Sequence, residues 1–247
     1  IAAVVLAVLL CALLVGLSYI PAQQVTQVTV SGAKTLASST VQAFVQEHIA
    51  GRYGYLFPKR NIFLYPKDTI RDELVHAYPL LAAADVHAQD FHTIAVNVVE
   101  REPRALWCPT MGSCSFIDER GVVYGPAPEF SAPIYVSYFG ALAGDKLPKQ
   151  YLTPDKFAGL SALVDAIARK VAAEQIMGVS VDSNQDVRMQ FASEFSILFS
   201  SKDQEGDIFE RFTLALTADP LTAHVLSDFE YLDLRFGDKL YYKLKNQ

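Results

Sequence analysis

The chain has 247 residues, 21 basic against 27 acidic side chains, a formal net charge of −6 and three cysteines. The acidic balance argues against nucleic acid as a partner, because phosphate backbones are met by basic surfaces. The length suffices for one large or two modest domains with real cores, and no repeat or low-complexity run interrupts it.

The first twenty residues, IAAVVLAVLLCALLVGLSYI, carry no charge, no Asn or Gln and no Pro. As a helix they would rise roughly 30 Å, one bilayer core. Backbone groups in lipid must be satisfied internally, so residues 1–21 predict a transmembrane anchor ending at Pro21, with Cys11 inside it as a small apolar residue. A cleaved signal peptide is the rival reading, but its apolar region runs about 7 to 15 residues and residues 18–21 make a poor cleavage site. The chain begins with Ile, so a cytoplasmic tail is expected before it. The first charge downstream is Lys34, whereas a cytoplasmic flank is rich in Lys and Arg. The expected location is therefore the cytoplasmic membrane, single-pass, with the N-terminus in the cytoplasm, the C-terminal bulk outside it, and the lipid bilayer contacted through residues 1–20.

Alternation over 25–30 followed by Ser31-Gly32 predicts a strand and a turn. A helix follows, capped by Ser38 or Ser39, with Val41, Phe44, Val45 and Ile49 on one face. The stretch RYGYLFPKRNIFLYPK, 52–67, mixes four basic residues with Tyr and Phe. That composition suits a membrane interface or a partner groove, or else a loop that packs some rings on its own domain. Asp68 caps a second helix with Ile70, Leu74, Val75 and Tyr78 inward, and Pro79 stops it. Residues 84–89 and 91–100 read as two strands joined by a tight turn, with Ile94, Val96 and Val98 sharing a face.

WCPTMGSC, 107–114, sets Cys108 and Cys114 around a Pro and a Gly. C-x5-C is neither a zinc knuckle nor a redox C-x2-C. Outside the cytoplasm a disulfide is expected, pinning a hairpin with strands 104–107 and 115–117 and loop 109–113; two free thiols in a turn are the alternative. In the chain-entropy model so short a loop contributes roughly 2 to 2.5 kcal/mol. Thr153-Pro154-Asp155 opens a long helix with Phe157, Leu160, Val164, Ile167 and Val171 on one stripe. Short strands over 177–182, 187–191 and 196–200 and a helix over 207–216 lead to a closing hairpin. With a three-residue loop at 237–239, Phe236 faces Leu240, Leu234 faces Tyr242 and Leu232 faces Leu244 on the apolar side, while Tyr231, Asp233 and Arg235 face Lys245, Lys243 and Tyr241 on the other. The last strand is expected at a sheet edge, whose open N–H and C=O groups can pair with another chain. Its lysines then act as gatekeepers against aggregation or as contacts for an acidic partner.

Signals for chemistry are sparse. The histidines are His48, His76, His87, His92 and His224, none in a spaced ligand motif. His87 and His92 facing across a hairpin would make a two-ligand site at best, and surface histidines are the simpler reading. G-x-S-x-G, Walker-type and G-x-G-x-x-G motifs are missing, and Asp72-Glu73 and Asp118-Glu119 fall at a helix start and a turn, where acids serve local needs. No catalytic residue, metal or cofactor is assigned, and the chain is expected not to be an enzyme.

The order strand, helix, helix, strand, strand over 25–101 resembles a POTRA domain. Glu100-Arg101-Glu102-Pro103-Arg104-Ala105, then Ile117-Asp118-Glu119-Arg120-Gly121-Val122-Val123, then Tyr231-Leu232-Asp233-Leu234-Arg235-Phe236 are similar to the E-R-x-P-x-A joint, the I-D-x-x-G-x-V hairpin and the closing Y-x-D-x-R-F hairpin of the FtsQ/DivIB family of bacterial division proteins. The resemblance implies an α+β fold of anchor 1–21, POTRA domain 25–101 and C-terminal β domain 102–247, a mixed sheet covered by helices. It implies a non-catalytic divisome scaffold, recruited to the division site through the POTRA domain, that binds FtsB/DivIC-like and FtsL-like proteins and helps regulate septal peptidoglycan synthesis. Tyr231 is implied as a partner contact; Leu240, Tyr241, Tyr242, Lys243, Leu244 and Lys245 join it through edge geometry alone. The Cys108–Cys114 pair is no part of the family pattern. The alternatives are a POTRA-containing adaptor in envelope transport or secretion, which would carry further POTRA units or a barrel, and a membrane-anchored envelope hydrolase, which would show a deep cleft with perturbed acids or a metal.

Overall fold

The computed structural model describes residues 1–110, 112–142, 144, 146–219 and 221–245. The chain divides into two compact units, Ile1–Arg101 and Glu102–Gln247, each an α+β arrangement with its own apolar core.

The first unit opens with α1 (Ala2–Ser18), a 17-residue helix. Its length corrects the expected anchor. Tyr19 leaves the helix, Ile20 is extended, and Pro21 begins a short 3-10 turn, so the helix rises about 26 Å, short of a bilayer core of about 30 Å. Among the described residues no helix is long and apolar enough to cross a membrane. The single-pass topology, the lipid-bilayer contact through residues 1–20 and the placement in the cytoplasmic membrane that rested on it are therefore not retained. Valine and leucine side chains of α1 are nevertheless exposed on all sides, from Val4 to Leu17.

Next come β1 (Gln27–Ser31), α2 (Ser38–His48), a small hairpin of β2 (Arg52–Tyr53) and β3 (Phe57–Pro58), α3 (Lys67–Ala77), β4 (Leu81–Ala88) and β5 (Thr93–Glu100). The hairpin replaces part of the loop expected between the helices. The sheet order is β1-β5-β4, with β1 parallel and β4 antiparallel to β5. Val41, Val45 and Ile49 of the α2 region and Ile70 and Leu74 of α3 lie against Val28, Val86, Ile94, Val96 and Val98 of the sheet. Both helices start without the expected side-chain caps: Ala37 and Pro66 occupy the cap positions, and Asp68 sits in the first turn of α3.

Among the described residues the second unit is a ten-stranded mixed sheet with two α-helices. Its elements are β6 (Ala105–Thr110), β7 (Ser113–Ile117), β8 (Val122–Pro126), β9 (Ser137–Phe139), β10 (Lys149–Gln150), α4 (Pro154–Lys170), β11 (Ile176–Val181), β12 (Asp186–Phe191), β13 (Ser196–Ser200), α5 (Glu205–Ala215), β14 (Phe229–Phe236) and β15 (Lys239–Leu244). The strand order is β10-β8-β7-β6-β9-β11-β12-β13-β14-β15. Phe157, Leu160, Leu163, Val164 and Ile167 of α4 join Ile208 and Phe212 of α5 over the inward rows Val187–Met189–Phe191, Ile197–Phe199 and Leu232–Leu234. Strands β9 and β10, three and two residues long, are too short for a periodic signal and have none in the sequence. The loop expected over 109–113 shrinks because β6 and β7 run further than predicted; Met111 within it lies outside the described residues.

Candidate functional site

The outermost strand beyond β14 is β15, six residues long, and among the described residues no other strand pairs with its far side. The hairpin register corrects the sequence reading. Phe236 pairs with Lys239 across a two-residue Gly237-Asp238 turn, with Gly237 at φ +60, and bulges on β14 then set Asp233 opposite Tyr241, Leu232 opposite Tyr242, Tyr231 opposite Lys243 and Phe229 opposite Leu244. Over 231–233 the pairing slips by two residues from the expected one, so Leu232 and Tyr242 keep the expected side, but at the turn the slip is one, and Phe236, 53% exposed, packs on Tyr241 instead of joining the apolar side. Leu240 and Leu244 are half-buried against the core, and Tyr242, 43% exposed, meets buried Phe229 edge-on at 5.9 Å.

Backbone direction along this rim follows from one bond. The Lys245 N–H donates to the Asp228 carbonyl at 2.9 Å. By the two-residue alternation of an antiparallel ladder, the N–H groups of Lys243 and Tyr241 point into β14, and those of Leu240, Tyr242 and Leu244 point outward. Two of the lysines are engaged within the chain: Lys243 pairs with Glu230 at 2.6 Å and Lys245 donates to the Ser193 carbonyl at 2.5 Å. Tyr231 lies one strand inside the rim, beside Lys243.

Behind the rim stands a fork that sequence reasoning placed on the correct face without seeing its partner. Arg235 donates through Nε and NH2 to both carboxylate oxygens of Asp233, at 2.9 and 2.6 Å, and through NH1 across β13 to Asp186 at 2.6 Å. Burial works to raise the Asp233 carboxyl, 5% exposed, but the Arg235 guanidinium and backbone N–H outweigh it and hold the group below the usual carboxylate range. The same two carboxylates push Arg235 up. Asp186 carried no sequence signal, because its contact spans 49 residues of chain.

The other quoted motifs also resolve into local bonds. The Glu100 carboxylate accepts the N–H groups of Lys34, Thr35 and Leu36 at 2.8 to 3.0 Å, and Arg101 donates to the Pro79 carbonyl at 3.1 Å. Buried Asp118 accepts the N–H groups of Arg120 and Val122 at 2.9 Å, while Gly121 holds φ +76 beneath Phe157, where an added Cβ would come within 2.8 Å of Phe157 Cβ. A disulfide joins Cys108 to Cys114, with Cα atoms 4.3 Å apart, near the end of the β6–β7 hairpin. His87 and His92 are not brought together: His87 sits opposite Ala95 and bonds Asp85, whereas His92 lies in the turn near the Gln24 carbonyl. Of the paired acids, Asp72 bonds Arg71 and Glu73 bonds His48. Among the described residues no group of three His, Cys, Asp or Glu side chains is placed to hold a metal ion.

No family model matches the chain, and no curated protein matches it. The FtsQ/DivIB resemblance is corrected on that finding. Its three motifs are short, and each is explained by a turn, a carboxylate–amide contact or an ion-pair fork that an unrelated sheet can use equally well. The POTRA label, the cell-division assignment and the FtsB/DivIC-like and FtsL-like partners go with it.

Proposed function

We propose that this chain is a non-catalytic polypeptide-binding protein that receives an extended segment of a partner along β15. The single observation that carries the reading is the open far side of that strand, with the backbone groups of Leu240, Tyr242 and Leu244 directed away from β14. An incoming strand would gain a ladder of main-chain bonds there, and alternate side chains would extend the apolar row of Leu240, Tyr242 and Leu244. Natural sheets usually blunt such an edge with charge or brevity. Here the opposite rim is the two-residue β10, whereas β15 runs six residues, with Lys243 drawn onto Glu230 and Lys245 just past it onto Ser193.

The test is selection of displayed peptides on the immobilised chain, followed by hydrogen exchange of the complex. Expected are peptides with alternating apolar residues that protect the amides of Leu240, Tyr242 and Leu244. Those peptides should lose binding to Tyr242→Pro, which removes an outward N–H and leaves the β14 ladder intact. Enriched peptides that bind Tyr242→Pro equally well, or no enrichment at all, would reject the reading.

A further inference from the structure

The segment 52–60 is left unused by the docking edge, and its chemistry is of another kind. We propose that the β2–β3 hairpin with its flanks is a contact surface for an anionic phospholipid headgroup layer, a peripheral contact that crosses nothing. Three cations, Arg52, Lys59 and Arg60, stand in a stretch that carries no acidic residue between Glu47 and Asp68. Among the described residues none of the three is in an ion pair. Two lie over aromatic faces instead, Arg52 5.7 Å from the Tyr19 ring centre and Lys59 5.5 Å from that of Tyr53. Their charge is therefore available to an outside anion, with the aromatic rings as platforms.

The tip is apolar and held outward. Gly54 and Tyr55 close the turn with φ +52 and +64, the Leu56 N–H donates to the Tyr53 carbonyl at 3.0 Å, and Tyr55 and Leu56 are 92% and 49% exposed. The base is fixed: buried Asn61 donates to the Ser18 carbonyl at 2.9 Å and accepts the Phe63 N–H at 2.9 Å, and the Lys59 N–H donates to the Gly51 carbonyl at 3.1 Å. A projecting aromatic tip ringed by cations matches the headgroup region, where tyrosine rings settle at the interface and basic side chains meet lipid phosphates. An acidic polypeptide fits less well, because it would meet the cations and leave the exposed tip of Tyr55 and Leu56 in water, whereas a lipid interface takes both.

The experiment is sedimentation of the full chain with phosphatidylcholine vesicles, with and without added phosphatidylglycerol. The exposed apolar side chains of α1 contribute alike to both vesicle types, so the difference between them isolates the cations. Tighter binding to the anionic vesicles is expected, weakening as salt is raised. The triple variant Arg52→Glu, Lys59→Glu, Arg60→Glu should lose about 100-fold in partitioning onto anionic vesicles, from a several-fold effect per cation. Tyr55→Ser with Leu56→Ser, at the exposed tip, should weaken binding with an unchanged circular dichroism spectrum. Equal binding to the two vesicle types, a charge-reversed chain that keeps the anionic preference, or capture of polyglutamate without any lipid preference overturns the proposal.

Discussion

Glu100 shows how much one carboxylate can organise. It ends β5 and collects three consecutive backbone N–H groups from the turn that leads from β1 to α2. Burial works to raise its pKa, yet the amides of Leu36, Lys34 and Thr35 outweigh it and leave it below the ordinary glutamate value. Because the folded-state value is depressed, the stabilisation is complete above the unfolded value of about 4.3 and fades as pH falls through the lower folded value. Glu100→Ala is expected to cost the first unit about 2 kcal/mol at neutral pH, with Glu100→Gln in between, since an amide keeps one acceptor oxygen. On acidification below the carboxylate range, denaturant titrations should bring the parent down to the level of Glu100→Gln, with Glu100→Ala still below both; a gap between parent and Glu100→Gln that persists there would remove the charge from the account. Gly32 works beside it. At φ +80 an added Cβ would lie 2.0 Å from the Val98 carbonyl oxygen, so only glycine lets the turn pass that close to β5.

At the scale of elements, helices came out of the sequence more completely than strands did. The stripe Phe157, Leu160, Val164, Ile167 and Val171 predicts α4; the first four are buried in it, and Val171 falls just past its end. A helix is a local object whose period reads out over many residues, whereas strand pairing is decided by partners far along the chain. The closing hairpin illustrates the difference, since alternation put Leu232 and Tyr242 on one side, but the two-residue turn and the bulges set a different register and moved Phe236 out beside Tyr241. The disulfide belongs to this scale too, because it closes the end of the β6–β7 hairpin. Cys108→Ala with Cys114→Ala is expected to destabilise the second unit by roughly 2 kcal/mol, the loop-closure contribution of so short a ring. Comparing denaturation midpoints of the variant and the parent checks this; an unchanged midpoint would show that the β6–β7 pairing alone holds the turn.

For the whole molecule, two separate cores predict two cooperative transitions. Glu100→Ala should move one and Phe157→Ala the other, the latter by about 3 to 5 kcal/mol for an aromatic side chain with no exposed surface. Calorimetry in which either variant shifts both transitions equally would contradict independent cores. What the sequence determined by itself was periodic and local: the apolar stripes of the helices, the shared face of Ile94, Val96 and Val98 on β5, the turn residues around Gly32 and Gly121, and a thiol spacing short enough for one hairpin. Tertiary structure alone decided the rest. It stopped α1 at 17 residues, folded 52–58 into a hairpin, drew Asp186 to Arg235, and set the register of β15 on β14. These outcomes depend on which distant segments meet, and a pattern of neighbours along the chain carries no information about that meeting.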